Sequence, residues 1–171
     1  MKHARRYSYV GSPELRDRMG QVDAVAVDTA TALARWLAGR DRGELVEPFT
    51  FVVVASDGEL RLAPRRSEHV ALAGGHDVLA AGEIAFALAV SGWHVVEVTN
   101  QSTGYCPDPD SWPAVGEALD RIGVRRPDDF TDKVIFRRCP ACGERNVVRD
   151  NDFTCAQCDS ALPAQWNFAS H

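Results

Sequence analysis

The stretch Val78–Thr99, VLAAGEIAFALAVSGWHVVEVT, decides the fold. Read with a period of two, Val78, Ala80, Gly82, Ile84, Phe86, Leu88 and Val90 fall on one side. Leu79, Ala81, Glu83, Ala85, Ala87 and Ala89 fall on the other. Helix is the rival reading, because alanine is the best helix former. Two signals favour strand. Gly82 interrupts the run, and Ser91-Gly92 is a turn leading straight into the β-branched and aromatic Trp93–Thr99. The segment therefore reads as two antiparallel strands.

Upstream, Phe49–Ala55 is rich in Phe, Val and Thr, Asp57-Gly58 is a two-residue hairpin signal, and Glu59–Leu62 returns. Together these predict an antiparallel β meander over about 48–100. Ser12-Pro13-Glu14 is a helix start, with a capping serine and a proline in the first turn; that helix should run through about Met19 and end at Gly20. Val22, Val25, Ala26, Thr29, Leu33, Trp36 and Leu37 recur at helical steps, predicting an amphipathic helix over Gln21–Ala38, closed by Gly39. Downstream, Asn100–Pro113 is a loop too long for a plain connector. Trp112–Ile122 is a helix with Val115, Leu119 and Ile122 inward, Arg125–Asp129 a turn, and Lys133–Phe136 a strand. The expected class is α+β, with N-terminal helices packed on the meander.

The C-terminal quarter has a different grammar. Cys139, Cys142, Cys155 and Cys158 form two C-x-x-C pairs, each in a tight knuckle: Cys139-Pro140-Ala141-Cys142-Gly143 and Cys155-Ala156-Gln157-Cys158-Asp159. Two sulfurs of such a turn reach one ion at about 2.3 Å. The segment between the pairs holds a strand-like Asn146–Arg149, a turn-like Asp150–Asp152 and Phe153-Thr154. A hairpin joining two knuckles resembles a zinc ribbon over about Phe136–Leu162. Residues 1–135 are then the α+β body, and 136–171 the ribbon and an aromatic tail. Disulfides are the competing reading, but C-x-x-C pairs in a reducing compartment bind metal or do redox work. Neither pair opens a helix as thioredoxin-like chemistry needs. The Pro-Cys-x-x-Cys element of zinc deaminases is missing as well, because proline sits inside the pair. Four thiolates close a tetrahedral shell, so one Zn²⁺ is expected in an architectural role.

The N-terminus is basic but runs into Tyr7–Pro13 rather than an apolar stretch, and no run approaches the roughly 18 apolar residues of a membrane span. A cytoplasmic protein without membrane contact is expected. A net charge of −5 disfavours nucleic acid. The ribbon is no better suited: Arg137, Arg138, Arg145 and Arg149 are matched one for one by Glu144, Asp150, Asp152 and Asp159.

Two clusters in the body are candidates for chemistry or binding. Glu83 lies among alanines and is a candidate acid or base, with His69 or Arg65 as its cation. The loop Asn100–Pro107 carries Tyr105 and the odd Cys106, a nucleophile only with a nearby base. Arg65 and Arg66, with Asn100, Ser102 and Thr103, are the candidate ligand-binding residues. These stretches resemble a β domain of some bacterial toxin-like proteins and of plant IQ-motif calmodulin-binding proteins. There, L-A-G-G and A-A-G-E precede a strand pair and S-G-H-Y; here the matching residues are Leu72–Gly75, Ala80–Glu83 and Thr103–Cys106. Glu68 stands where that pattern has His, and Tyr105-Cys106 where it has His-Tyr. The resemblance implies the β fold rather than an activity. The expected function is a binding module for a protein or small anionic ligand. The alternatives are a small hydrolase or transferase using Glu83, His69 and the Asn100–Cys106 loop, and a nucleic-acid-binding ribbon.

Overall fold

The computed structural model describes residues 4–17 and 22–168. Its elements in chain order are α1 (Pro13–Asp17), β1 (Val25–Val27), α2 (Ala30–Ala38), α3 (Arg42–Leu45), β2 (Phe49–Val54), β3 (Leu60–Ala63), α4 (His69–Leu72), β4 (Val78–Ala89), β5 (Gly92–Val98), α5 (Trp112–Ile122), β6 (Ile135–Arg138) and β7 (Arg145–Val148). The fold is α+β: a five-stranded antiparallel sheet ordered β1-β3-β2-β4-β5, with β6 and β7 forming a separate hairpin. Among the described residues no helix is long and apolar enough to cross a membrane.

The Val78–Thr99 stretch is the strand pair its alternation predicts, with one irregularity. Val53 pairs with Ala80 but Val54 with Val78, so Leu79 is an extra residue and β4 bulges there. Ala80, Ile84 and Phe86 enter the larger core with Phe49, Phe51, Leu62, Val98 and the inner faces of α2 and α5. Val78 and Ala81 face the second core with Val52, Val54, Val70, Leu72, Tyr7 and Tyr105. β2 is buried along its whole length because both of its faces are covered. α5 spans the expected residues and ends at Gly123, whose left-handed φ of 84° closes the helix.

The long N-terminal helix is shorter than its period suggests. Val25–Val27 is an edge strand paired with β3, and helix begins only after Thr29, whose hydroxyl accepts from the Ala32 amide at 3.0 Å. Val22, Val25 and Ala26 satisfy a helical step, but a β-branched Val-Ala-Val beside a free strand edge gains ladder hydrogen bonds instead. The expected ends at Met19 and Gly20, and the start at Gln21, lie outside the described residues. The Asp57-Gly58 turn is wider than two residues: the chain reverses over Ala55–Gly58, with the Gly58 amide donating to the Val54 carbonyl at 2.9 Å.

Gly82 is required for a reason beyond breaking a helix. A Cβ there would sit 1.9 Å from the Thr99 carbonyl oxygen, where β5 runs out alongside β4. Replacing Gly82 with Ala should cost about 2 kcal/mol, lowering the unfolding temperature by roughly 4–8 °C. Calorimetry that found no change would show that β4 and β5 are not in this register.

Candidate metal centre

The two cysteine knuckles are built alike. The Gly143 amide donates to the Cys139 carbonyl at 2.9 Å, as the Asp159 amide does to Cys155 at 3.0 Å. The Cys139 amide donates to Glu144, as the Cys155 amide does to Ser160, both at 2.8 Å. Each knuckle turns back on a left-handed residue, Gly143 at φ 79° and Asp159 at φ 61°. These turns end the strand ladder and leave both cysteines of a pair on one side. The expected hairpin joining the knuckles gives way to one ladder across each: β6 and β7 close over the first, with Phe136 opposite Val147 and Arg138 opposite Arg145, and the Thr154–Ala161 bridge closes the second.

The result is four sulfurs all within 4.8 Å of one another. The closest cross-knuckle pairs are Cys139–Cys158 at 3.5 Å and Cys142–Cys155 at 3.6 Å. Those separations are too long for a disulfide at about 2.05 Å, and near the ~3.8 Å sulfur spacing that 2.3 Å bonds impose in a tetrahedron. The thiols are free. Cys139 and Cys155 are buried with Leu162, Val148 and Phe153, while Cys142 and Cys158 are exposed. The donor set therefore fits a tetrahedral thiolate metal centre, zinc among the candidates.

Asn146 organises this centre, and sequence reasoning placed it only in a strand. Its side chain donates to the Cys155 sulfur at 3.4 Å and to the Glu144 carbonyl at 3.1 Å, and accepts from the Ala156 amide at 2.9 Å. It ties one knuckle to the other. Burial opposes ionisation of Cys155, but the Asn146 amide and the backbone N–H groups of Cys158 and Gln157 outweigh it and bring the thiol down to about 6. Cys158 is lowered chiefly by Ser160. At Cys142 the Glu144 amide favours the thiolate, yet burial and the three neighbouring sulfurs push the group up to about 12. The cluster holds protons that an arriving cation displaces. In the folded hairpin Asn146 is buried and its neighbour Val147 exposed, the reverse of an ordinary two-sided strand.

The body's candidate residues lie apart from the sulfurs, and most are engaged by backbone. His69 Nε2 donates to the Gly82 carbonyl at 2.9 Å, and burial lowers its pKa against the opposing pull of that bond. Tyr105 donates to the His76 carbonyl at 2.8 Å, its phenol raised by burial and then by Asp77. Burial pushes Cys106 up to about 11 against the opposing pull of Arg145 and Arg138, and its thiol donates to the Thr103 carbonyl at 3.4 Å. Asn100 is fully buried: its amide donates to Pro107 and Val134, and its carbonyl oxygen accepts from the Val134 amide at 2.7 Å. Ser102, also buried, accepts from the Tyr105 amide. Arg65 pairs with Glu47 at 3.2 Å, and Arg66 and Thr103 are exposed. Glu83 is half-buried; its backbone is bonded to Thr99. Among the described residues, no hydrogen bond joins Glu83, His69, Tyr105 and Cys106 to one another.

The aromatic tail folds back. Trp166 Nε1 donates to the Cys106 carbonyl at 2.7 Å, its ring packs edge-on to Tyr7 at 5.3 Å, and Phe168 is buried with Cys106 and Phe136. Arg137, almost fully buried, donates to the Phe136, Pro163 and Ala164 carbonyls and fastens the tail beside β6. No protein-family model, curated protein or solved structure matches the chain.

Replacing Asn146 with Leu should weaken metal affinity about 10- to 100-fold with all four thiols retained. Competition against a chromophoric chelator reads this directly; an unchanged affinity would reduce Asn146 to a packing residue.

Proposed function

We propose that the chain is a binding module whose C-terminal zinc ribbon is architectural, with one Zn²⁺ held by Cys139, Cys142, Cys155 and Cys158. The observation that carries this reading is the closure of the sulfur cage. Four cysteine ligands fill a tetrahedron and leave no position for water or substrate, which is the donor set of a structural rather than a catalytic site. Zinc is favoured over other first-row ions because all-thiolate tetrahedral coordination suits a d¹⁰ ion with no geometric preference of its own. A reducing compartment such as the cytoplasm is the setting this reading supposes, because thiolates that are to hold a metal must stay reduced.

The enzyme alternative has less support. A candidate nucleophile whose thiol is bonded to the Thr103 carbonyl and a histidine whose Nε2 is taken by the Gly82 carbonyl lack the base–nucleophile contact that activation needs. The protein's ligand is then taken by the body, through shape and hydrogen bonding. A protein or a small molecule remains the expected class, and nucleic acid is disfavoured by the even charge count of the ribbon.

Elemental analysis should give one zinc per chain. Chelation should abolish amide-exchange protection in 136–168 while β2 and β4 keep theirs, because the tail buries too little apolar surface to fold without the ion. A stoichiometry of zero or two, or a tail that stays protected after chelation, refutes the assignment.

A further inference from the structure

The two edges of the β6–β7 hairpin are treated in opposite ways. The Cys139 amide donates to the Glu144 carbonyl at 2.8 Å, so the register puts the next ladder bonds at Arg137–Asn146 and Ile135–Val148. In an antiparallel pair the residues between those positions turn their N–H and C=O groups outward. On the β6 side these are Val134, Phe136 and Arg138, and side chains meet each of them. Asn100 accepts from the Val134 amide at 2.7 Å and donates to its carbonyl at 2.8 Å. Asn167 does the same for Arg138, at 2.8 and 2.6 Å, and Arg137 Nη1 donates to the Phe136 carbonyl at 2.7 Å. Two asparagine amides thus stand in for a third strand.

On the β7 side the outward residues are Arg145, Val147 and, one past the strand's end, Arg149. β7 has β6 as its one neighbour. The Arg149 carbonyl takes the Asp152 amide at 2.9 Å. Among the described residues, the N–H and C=O of Arg145 and Val147 and the N–H of Arg149 have no partner. The side chains of the three share one face. Val147 is 41% exposed, and beside it lies a cavity of about 360 Å³ walled by Phe136 and Val134. Arg145 gives one N–H to the Thr103 carbonyl. Neither Arg145 nor Arg149 has a carboxylate within ion-pair distance among the described residues; Asp132 and Asp150 line the cavity without reaching either. The ribbon's own carboxylates stand off this edge, Glu144 and Asp159 at the knuckles, Asp150 and Asp152 in the turn. The bare edge is therefore basic at both ends and apolar in the middle.

From this contrast we infer that β7 accepts an extended acidic segment of a partner protein as an antiparallel third strand. The segment reads acidic, any, apolar, any, acidic: its carboxylates face Arg149 and Arg145, its apolar side chain lies on Val147, and its backbone answers the open N–H and C=O groups. A small anion would answer the arginines alone. A second copy of β7 would set Arg145 against Arg149 twice over, and like charges directly opposite repel. The inference goes beyond the architectural reading of the ribbon and rests on it: the ion holds the hairpin, and the hairpin offers a surface in addition to the body.

The test is an NMR titration of the zinc-loaded full chain with the peptide acetyl-TETVTET-amide. The backbone amides of Arg145, Val147 and Arg149 should shift together and saturate, while those of β2 stay still. The peptide TKTVTKT should bind about tenfold more weakly. N-methylation of the valine and both glutamates, whose N–H groups would point at β7, should abolish binding. Arg149→Glu should reverse the preference, so that TKTVTET, with its lysine facing residue 149, binds better than TETVTET. Val147→Pro removes an outward N–H but no ladder bond, so it should abolish binding with one zinc per chain retained. The inference is overturned if no shift saturates, if the N-methylated peptide binds as well, or if Arg149→Glu leaves the order of the peptides unchanged. It is equally overturned if self-association or a single-stranded oligonucleotide moves the same amides. Failure here with one zinc per chain and a protected tail leaves the architectural ribbon standing; a chain without zinc removes that reading separately.

Discussion

The C-terminal unit has a core of Cys139, Cys155 and Leu162, with Val148 and Phe153 half-covered beside them. That is far too little apolar surface to order some thirty residues, because fixing each backbone residue costs about 1–2 kcal/mol. The deficit is met by convergence of four sulfurs on one point, and this constraint orders what comes after it. The knuckles fix the ends of β6 and β7, and the hairpin places Arg137. Arg137 in turn binds the Pro163 and Ala164 carbonyls, which aims Trp166 and Phe168 back at the body. Without the sulfur cage the tail has only local reasons to be where it is.

The body depends on different physics. Its sheet is held by two cores on opposite faces of β2; β4 feeds both by alternation, and one extra residue at Leu79 moves Val78 to the side of Ala81. That bulge does two things. It turns Val78 toward the Tyr7 and Tyr105 side, and it leaves Leu79 at the wall of a cavity of about 680 Å³ that Tyr7, Asp110 and Ala114 also line. A regular strand would have buried Leu79 in one face or exposed it on the other.

Much of this was legible in the residues. The period of Val78–Thr99, the glycine inside it and the turn at Ser91-Gly92 define the two longest strands, and the spacing of four cysteines defines the metal-binding geometry. What was not legible has a common cause, dependence on a partner far along the chain. Val25–Val27 becomes strand only because the edge of β3 is beside it, a fact that helical spacing in Val22, Ala26 and Thr29 conceals. Asn100 and Ser102 look like ligand groups in a polar loop, yet Asn100 replaces missing backbone hydrogen bonds where the loop crosses Val134, and Ser102 answers the Tyr105 amide within the loop. Asn146 reads as an ordinary strand residue until Ala156 and Cys155 are set against it. Polar side chains are ambiguous in sequence because the same amide that holds a ligand also holds a loop.

Trp166 joins the two halves of the molecule in a directional way. It takes its position from the hairpin side, through the chain that Arg137 fastens, but its contacts are with the body: the Cys106 carbonyl, the edge of Tyr7 and the Arg5 guanidinium 4.8 Å from its ring. Arg5 and Tyr7 are the groups that hold Asp110 at the rim of the cavity. A cation–π contact and an edge-to-face pair are each worth about 0.5–1.5 kcal/mol, enough to bias where a half-exposed arginine rests but not to fold a domain. Loss of metal order would therefore leave the sheet intact and release Arg5 from one side, letting it move further onto Asp108 and Asp110. The four-sulfur cage thus bears on where Arg5 rests through one tryptophan, without touching Arg5 itself.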